Sequence, residues 1–143
     1  VTCYTVDGVF SQELMRLRQR DEERVDVRML LGAKQAASPS CATQKSALFV
    51  LKKWGVKIRV RRPAASTCAA AHRKSWMFDH ALLVVGSGNA TYNSMGNCAE
   101  DALVTRSAAA LDMWSADFAV KWEMAREVNE DELQAPKTPK YLL

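Results

Sequence analysis

Four polar residues near the middle of the chain have types and spacings suited to chemistry at a phosphate group. His72 and Lys74 are two residues apart, and so are Ser87 and Asn89 further along the chain. Residues two apart on a strand point to one face, so a strand, a turn and a second strand would bring the four side chains together. An imidazole can attack phosphorus, while an ammonium and an amide can hold phosphate oxygens as negative charge develops.

Each of these residues has an ordinary explanation when it is taken alone. Ser87 would belong to a turn, Asn89 would cap a helix, and a lone histidine or lysine would be a surface residue. Only their joint occurrence at this spacing favours a site. Asp79 is less specific, because an aspartate followed by His80 at a hairpin is also common turn chemistry.

Residues 72–89 read HRKSWMFDHALLVVGSGN and match the pattern HxKx4Dx6GSxN at all six fixed positions. This pattern resembles the signature of the phospholipase D superfamily of phosphodiesterases. The string NCAEDALVTR is similar to the usual continuation in that family, with Glu100 just before a strand. The order of elements resembles the small single-motif branch, which includes bacterial endonucleases and mitochondrial cardiolipin hydrolases. We therefore expect one phospholipase D-like domain over residues 1–128 and a flexible tail over 129–143.

The resemblance implies hydrolysis of a phosphodiester in two steps through a phosphohistidine, with no metal and no cofactor. His72 would be the nucleophile, Glu100 would orient a catalytic histidine through a hydrogen bond, and Asp79 would lie buried near the site. The expected catalytic residues are His72, Lys74, Asp79 and Glu100. The residues expected to bind substrate are Ser87, Asn89, Arg59, Arg61 and Arg62.

The chain contains only one HxK sequence, whereas the reaction implied by the resemblance needs a second histidine to protonate the leaving oxygen. His80 lacks a partner lysine and is a poor candidate. Single-motif members form a two-fold homodimer with the site across the interface, and this is the arrangement we expect. A second motif outside these residues is the alternative.

The positive charge of the chain is concentrated in its middle. No Asp or Glu occurs between Val27 and Phe78, a stretch that holds eleven of the twenty Lys and Arg residues. The remainder carries nine basic and sixteen acidic residues. A basic middle would attract a polyanion such as nucleic acid or an anionic membrane surface, although a merely solvated face is the alternative. A second functional hypothesis is a catalytically silent family member that binds such a partner through Arg59, Arg61 and Arg62.

The hydrophobic pattern predicts an α/β fold, with a mixed β-sheet flanked by helices in a phospholipase D-like α/β/α sandwich. The predicted strands are 2–6, 25–31, 56–60, 74–78, 81–85 and 102–105. One predicted helix follows Asp7, which can cap it. A second helix spans 44–54 and is ended by Gly55, and a third spans 108–127. In the last helix an apolar stripe of Leu111, Trp114, Phe118 and Trp122 indicates core packing rather than a base-stacking surface.

Length and composition favour a single soluble domain with a core of its own. The chain has 143 residues, 48% of them hydrophobic, and its longest apolar run, 81–85, is too short to span a membrane. Four scattered cysteines without a CxxC pair indicate reduced thiols rather than a zinc site, and therefore a reducing compartment. The resemblance adds two possibilities, a mitochondrial surface location and peripheral membrane contact.

Overall fold

The computed structural model describes residues 8–20, 25–33, 36, 42–61 and 72–133, and within them it confirms the predicted α/β class. The helices are α1 (Gly8–Arg20), α2 (Ala42–Lys53), α3 (Tyr92–Gly96), α4 (Ala108–Glu123) and α5 (Glu130–Leu133). The strands are β1 (Arg28–Gly32), β2 (Lys57–Arg61), β3 (Lys74–Phe78), β4 (Leu82–Gly86), β5 (Ala102–Thr105) and β6 (Arg126–Glu127). The strand predicted over 2–6 and most of the loop predicted over 61–71 lie outside the described residues.

The six described strands form two three-stranded sheets. In the first sheet β1 pairs in parallel with β2, and β6 adds to the other edge of β2 in the antiparallel direction. The second sheet is antiparallel throughout, in the order β3-β4-β5. Its central strand carries the motif glycine at its end, and this sheet therefore positions the candidate site.

Helices cover the first sheet on both sides, as the predicted sandwich requires. Met29 and Leu31 of β1 are fully buried on the side of α1 and α2, in a core that includes Leu48 and Ile58. Between them, Leu30 points the other way and packs with Trp122 of α4. A strand that is buried on both faces reads as a continuous apolar run, which is what residues 29–31 show.

Two turns that the local sequence predicts are present in the structure, one after α2 and one between β3 and β4. Gly55 adopts a left-handed φ of 77° immediately after α2, and its N–H donates to the carbonyl of Lys52 at 3.0 Å. Asp79 and His80 have φ values of 48° and 52°, and the N–H of Ala81 donates to Phe78 across this turn at 2.9 Å. Positive φ at both central residues gives the tight hairpin between β3 and β4.

The C-terminal part of the structure differs from the prediction. The last long helix ends at Glu123 instead of Glu127, because the chain turns back and β6 takes the open edge of β2, with Val60 paired to Arg126. The residues after it do not begin a loose tail, since α5 places Leu133 in the core at 1% exposure. The side chain of Leu133 explains this order, because the free energy gained by burying it offsets the conformational entropy that the short polar helix loses on folding. Residues 134–143 lie outside the described residues.

Candidate active site

The HxK segment enters β3 with alternating side chains on its two sides. His72 and Lys74 share one side, and the ammonium Nζ of Lys74 lies 2.8 Å from Nδ1 and 2.9 Å from Nε2 of His72. Lys74 is 5% exposed, whereas His72 is exposed. Because an ammonium only donates hydrogen bonds, this contact requires an unprotonated ring nitrogen on His72.

Helix α4 holds the opposite side of the same segment. The indole Nε1 of Trp114 donates to the hydroxyl of Ser75 at 2.9 Å, and Ser75 is fully buried. One helical turn later, the carboxylate of Asp117 accepts from the guanidinium of Arg73. These two bonds attach the segment to α4 by its odd-numbered residues, so the even-numbered residues remain on the side of the candidate site. The Trp114 bond also confirms that the aromatic stripe of α4 packs inward.

The strand register aligns residues of the motif in one row. Lys74, the first residue of β3, pairs with Gly86, the last residue of β4. On the other edge Gly86 pairs with Ala102, which places Gly88 beside Glu100. A β-carbon built at Gly88 would lie 3.7 Å from the β-carbon of Glu100. The fold thus brings Lys74, Gly86, Gly88 and Glu100 to one end of the second sheet.

Glu100 forms its contacts with two serines of the site. Its Oε2 accepts from the hydroxyl of Ser87 at 2.5 Å. Hydrogen bonds from Ser87 and from Ser94, in that order of size, hold the pKa of the Glu100 carboxyl below its ordinary value, and the charge of Lys74 acts in the same direction. Glu100 is therefore a carboxylate at neutral pH, with its charge directed toward this cluster.

Ser94 is a residue of this site that the sequence analysis missed. It is 8% exposed, on the short helix α3, and its hydroxyl accepts from the backbone N–H of Asn89 at 3.1 Å. Its own N–H donates to the side chain of Thr91, which caps that helix, at 3.2 Å. The spacing of Thr91 and Ser94 is typical of a helix cap, so the local sequence signals the helix but not the hydrogen bond from the backbone N–H of Asn89 to Ser94.

Asn89 is half-buried at the end of the motif, and its side-chain oxygen Oδ1 is buried with no hydrogen-bond partner among the described residues. A buried amide oxygen without a donor is costly to maintain. The unpaired oxygen calls for a donor, which the oxygens of a phosphodiester cannot supply, so the role of Asn89 in substrate binding stays a prediction.

Asp79 does not belong to this cluster. It lies at the tip of the β3–β4 hairpin and is exposed, whereas Lys74 lies at the start of β3. The five-residue strand separates the two ends by about 16 Å at 3.3 Å per residue. The expectation of a buried Asp79 near the site is wrong, because the residue supplies the left-handed conformation of the turn, which aspartate tolerates. His80 shares this turn and contacts Ser115 at 3.3 Å.

Two of the three arginines expected to bind substrate, Arg59 and Arg61, lie on β2 among the described residues. The guanidinium of Arg59 lies 4.8 Å from the ring centroid of Trp122 and donates to the carbonyl of that residue at 2.7 Å, so its main contacts are with α4. Arg61 is half-buried at the end of β2. Arg62 lies outside the described residues. The contacts of Arg59 stabilise the packing of α4 on β2, and its role in substrate binding stays a prediction.

Acidic residues from the flanking parts of the chain neutralise much of the basic middle. Lys52 pairs with Glu127 at 2.8 Å, and Lys53 pairs with Glu130 at 2.7 Å. Asp26 accepts from Lys57 at 2.9 Å, and it also pairs with Arg28. The charge polarity of the sequence is therefore much weaker in the fold, which reduces the case for one continuous polyanion-binding face.

Two further expectations concern metals and membranes. Over the described ranges, no three His, Cys, Asp or Glu side chains are grouped so that they could hold a metal ion. In the same part of the chain, no helix is long and apolar enough to cross a membrane. Cys98 is a free thiol, and its sulfur accepts from the side-chain amide of Asn93 at 3.2 Å.

Comparisons with known proteins agree with this fold. The family model described as "Cardiolipin synthase, PLD-like domain" matches residues 1–122. Nuc, a phospholipase D family member from Salmonella typhimurium, has a TM-score of 0.73 and 17% identity over 90% of this chain and 79% of its own. NucT from Helicobacter pylori has a TM-score of 0.73 and 12% identity over 89% of this chain and 79% of its own. The comparison with curated proteins finds no match. Because the family model covers most of the chain, and both structures share its fold, the chain belongs to the phospholipase D superfamily as a PLD-like domain.

Proposed function

We propose that the protein hydrolyses phosphodiesters through a covalent intermediate on His72, without a metal ion. The observation that carries this proposal is the 2.8 Å contact between Nζ of the buried Lys74 and the ring of His72. A nucleophile and a cation this close together can act on one phosphate group, and we assign the amide of Asn89 as the third group of the site. Membership of the superfamily supports the same chemistry.

In the first step, an unprotonated ring nitrogen of His72 attacks phosphorus, and the bond from phosphorus to the leaving oxygen breaks. The ammonium of Lys74 and the amide NH2 of Asn89 hold the non-bridging oxygens while negative charge develops on them. A second imidazole gives its proton to the leaving oxygen. In the second step, that imidazole takes a proton from water, the water oxygen bonds to phosphorus, and the bond to His72 breaks.

The second imidazole comes from another copy of the chain in this proposal. His80 is a poor source, because it lies on the hairpin turn at the far end of β3 from Lys74. A two-fold axis beside the exposed His72 would set two copies of that residue against one phosphate. Sedimentation should then give a mass of about 32 kDa, twice the 15.9 kDa of the chain. A monomer that hydrolyses diesters at the full rate would contradict the shared site.

The substrate is a phosphodiester of nucleic acid or of phospholipid, and the features of the site serve both. The description of the matched family model names cardiolipin synthase. Single-stranded DNA, RNA and cardiolipin vesicles, tested side by side at one salt concentration, would separate these classes. A preference for vesicles would support peripheral contact with a membrane surface, whereas a steep loss of activity with salt would support nucleic acid.

The decisive experiment is hydrolysis of bis-p-nitrophenyl phosphate in the presence of EDTA. We expect turnover that chelation leaves unchanged, and a phosphorylated His72 that can be trapped by rapid quenching in alkali, where the P–N bond is stable. Loss of activity with EDTA and its recovery with Mg²⁺ would contradict the metal-free mechanism. Binding of nucleic acid or anionic vesicles without hydrolysis of any substrate would instead favour a catalytically silent protein.

A further inference from the structure

The histidine proposed as nucleophile precedes the paired part of its strand. Pairing of β3 with β4 begins at Lys74, opposite Gly86, and His72 lies two residues earlier. Hydrogen bonds between strands fix the backbone only where the strands are paired. The position of the His72 ring therefore also depends on the contacts of the residue between His72 and β3, which is Arg73.

Arg73 is bound by a carboxylate of α4. Its guanidinium donates to Oδ2 of Asp117, and the ammonium of Lys121, one turn further along the helix, donates to the same oxygen at 2.6 Å. Burial acts to raise the pKa of the Asp117 carboxyl, but hydrogen bonds from Lys121 and Arg73 outweigh it and leave the pKa below its ordinary value. Asp117 is therefore a carboxylate at neutral pH that holds two cations.

The same face of α4 binds the next odd-numbered residue of the segment. Trp114, one turn before the bonded carboxylate, donates to the hydroxyl of Ser75 at 2.9 Å. Successive residues of an extended chain point to opposite sides. Because Arg73 and Ser75 are held against the helix, His72 and Lys74 point to the other side, where Nζ of Lys74 lies 2.8 Å from the ring of His72.

We propose that Asp117 is a positioning residue for the nucleophile, which fixes the backbone beside His72 by binding Arg73 and so orients the imidazole toward the side of Lys74. The term helix tether is used below for the ion pair between Arg73 and Asp117. Its effect on catalysis rests on the proposed function, whereas its effect on the position of the His72 ring does not.

The exposure of the helix tether determines which effect to expect from its loss. The side chains of Arg73 and Asp117 are 49% and 37% exposed, and ion pairs this open to solvent contribute little to the free energy of unfolding. The protein should therefore stay folded without the tether. The rate should still fall, because attack on phosphorus requires the ring nitrogen to be close to it and in line. A loss of rate at nearly constant stability distinguishes positioning from general support of the fold.

The first test measures hydrolysis of bis-p-nitrophenyl phosphate by Asp117→Ala. We expect a loss of about three- to tenfold in kcat, with KM within about twofold of wild type and an unchanged urea midpoint. Asp117→Glu keeps a carboxylate within reach of Arg73 and should restore most of the rate. Two matched controls should keep the wild-type rate. Lys121→Gln removes the other cation on Asp117, and Asp112→Asn changes an exposed carboxylate of the same helix.

A double-mutant cycle tests whether Asp117 acts through Arg73. Arg73→Ala should lose about as much kcat as Asp117→Ala, and the double variant should lose no more than either single variant. Losses that multiply would mean that Asp117 acts by another route and would overturn the helix tether. A lower KM in Asp117→Ala at the wild-type kcat would also overturn it, because Arg73, once released, would then bind the phosphate itself.

The second test does not depend on activity. Nuclear Overhauser effects between the ring protons of His72 and the methylene protons of Lys74 report the contact of the two side chains directly, and His72→Asn assigns them. We expect these signals to weaken in Asp117→Ala and to keep their strength in Lys121→Gln. A folded Asp117→Ala variant in which they are unchanged would overturn the helix tether.

The two proposals can fail separately. A wild-type protein without hydrolysis in any assay would end the proposed function, yet the NMR signals would still support or overturn the helix tether. An active wild type, with an Asp117→Ala variant that keeps both the wild-type kcat and these signals, would overturn the positioning role alone.

Discussion

Gly86 and Asp101 approach each other so closely that a side chain at position 86 would collide with the neighbouring strand. A β-carbon built on Gly86 would lie 2.3 Å from the carbonyl oxygen of Asp101 and 3.2 Å from Cα of Ala102. Real contacts of this kind are not that short, so β4 and β5 would have to separate. The motif glycine is therefore required by the pairing that sets Glu100 beside Gly88.

This relationship predicts different outcomes for two glycine variants. Gly86→Ala should reduce the free energy of unfolding by about 1–3 kcal/mol, because the strands must move apart. Gly88→Ala should cost less, since its β-carbon would meet Glu100 at an ordinary 3.7 Å. Urea denaturation of both variants measures the difference. Equal stability of the two variants would contradict the packing argument.

The two histidines of the chain provide a matched pair of variants. His72→Asn should reduce hydrolysis of a small diester by at least about a thousandfold, because it removes the nucleophile. His80→Asn should keep about the wild-type rate, since asparagine accepts the left-handed φ of 52° at this turn. Steady-state kinetics on folded proteins measures both. A similar loss in the two variants would contradict the choice of His72.

The bond between Trp114 and Ser75 should contribute to stability more than to substrate binding. Trp114→Phe keeps the aromatic stacking on Phe118, whose ring centroid is 5.0 Å away, but removes the donor to the buried hydroxyl. We expect a loss of about 1–2 kcal/mol in the free energy of unfolding. KM should change little. A variant as stable as wild type would show that α4 does not need this bond to hold β3.

Arg59 and Arg61 should differ in what they contribute. Arg59→Gln removes the contacts with the ring and carbonyl of Trp122, so we expect a loss of about 1–2 kcal/mol in stability. Arg61→Gln should change stability by less than about 0.5 kcal/mol and reduce the salt dependence of polyanion binding. Denaturation and binding at several salt concentrations separate the two effects. The reverse assignment would show that Arg59 faces the substrate.

Stability should fall in acid because several carboxylates are ion-paired. The hydrogen bond from Lys57 lowers the pKa of Asp26 below its ordinary 3.8, and the bond from Lys52 lowers that of Glu127 below 4.5. A carboxyl with a lowered pKa in the folded state contributes its stability above the pKa of the unfolded chain. That contribution disappears as the pH falls through the folded value.

Urea midpoints should therefore be level from about pH 7 to 5 and decrease below about pH 4.5. The effect should be modest, since the side chain of Asp26 is 45% exposed and its ion pairs are screened by solvent. Asp26→Asn should weaken the acid dependence, whereas Asp112→Asn on the exposed side of α4 serves as a control. A midpoint that increases on acidification would contradict the ion-pair account.

The elements that depend on neighbouring residues could be predicted from the sequence. The alternation in 56–60, the glycine after α2 and the Asp79–His80 turn each act within a few residues, so their outcome does not depend on the rest of the fold. The motif also predicted the candidate site, because a hairpin brings the segment of His72 and Lys74 to the same end of a sheet as the segment of Ser87 and Asn89. Pairing of Lys74 with Gly86 confirms that hairpin.

Contacts between distant parts of the chain were decided by the tertiary structure alone. Arg59 meets Trp122 across 63 positions and Lys52 meets Glu127 across 75, so neither partner can be inferred from local spacing. The same holds for Ser87, whose hydroxyl meets the carboxylate of Glu100 across 13 positions. The role of a side chain depends on which groups form hydrogen bonds and ion pairs with it, and only the packing of the fold brings distant groups together.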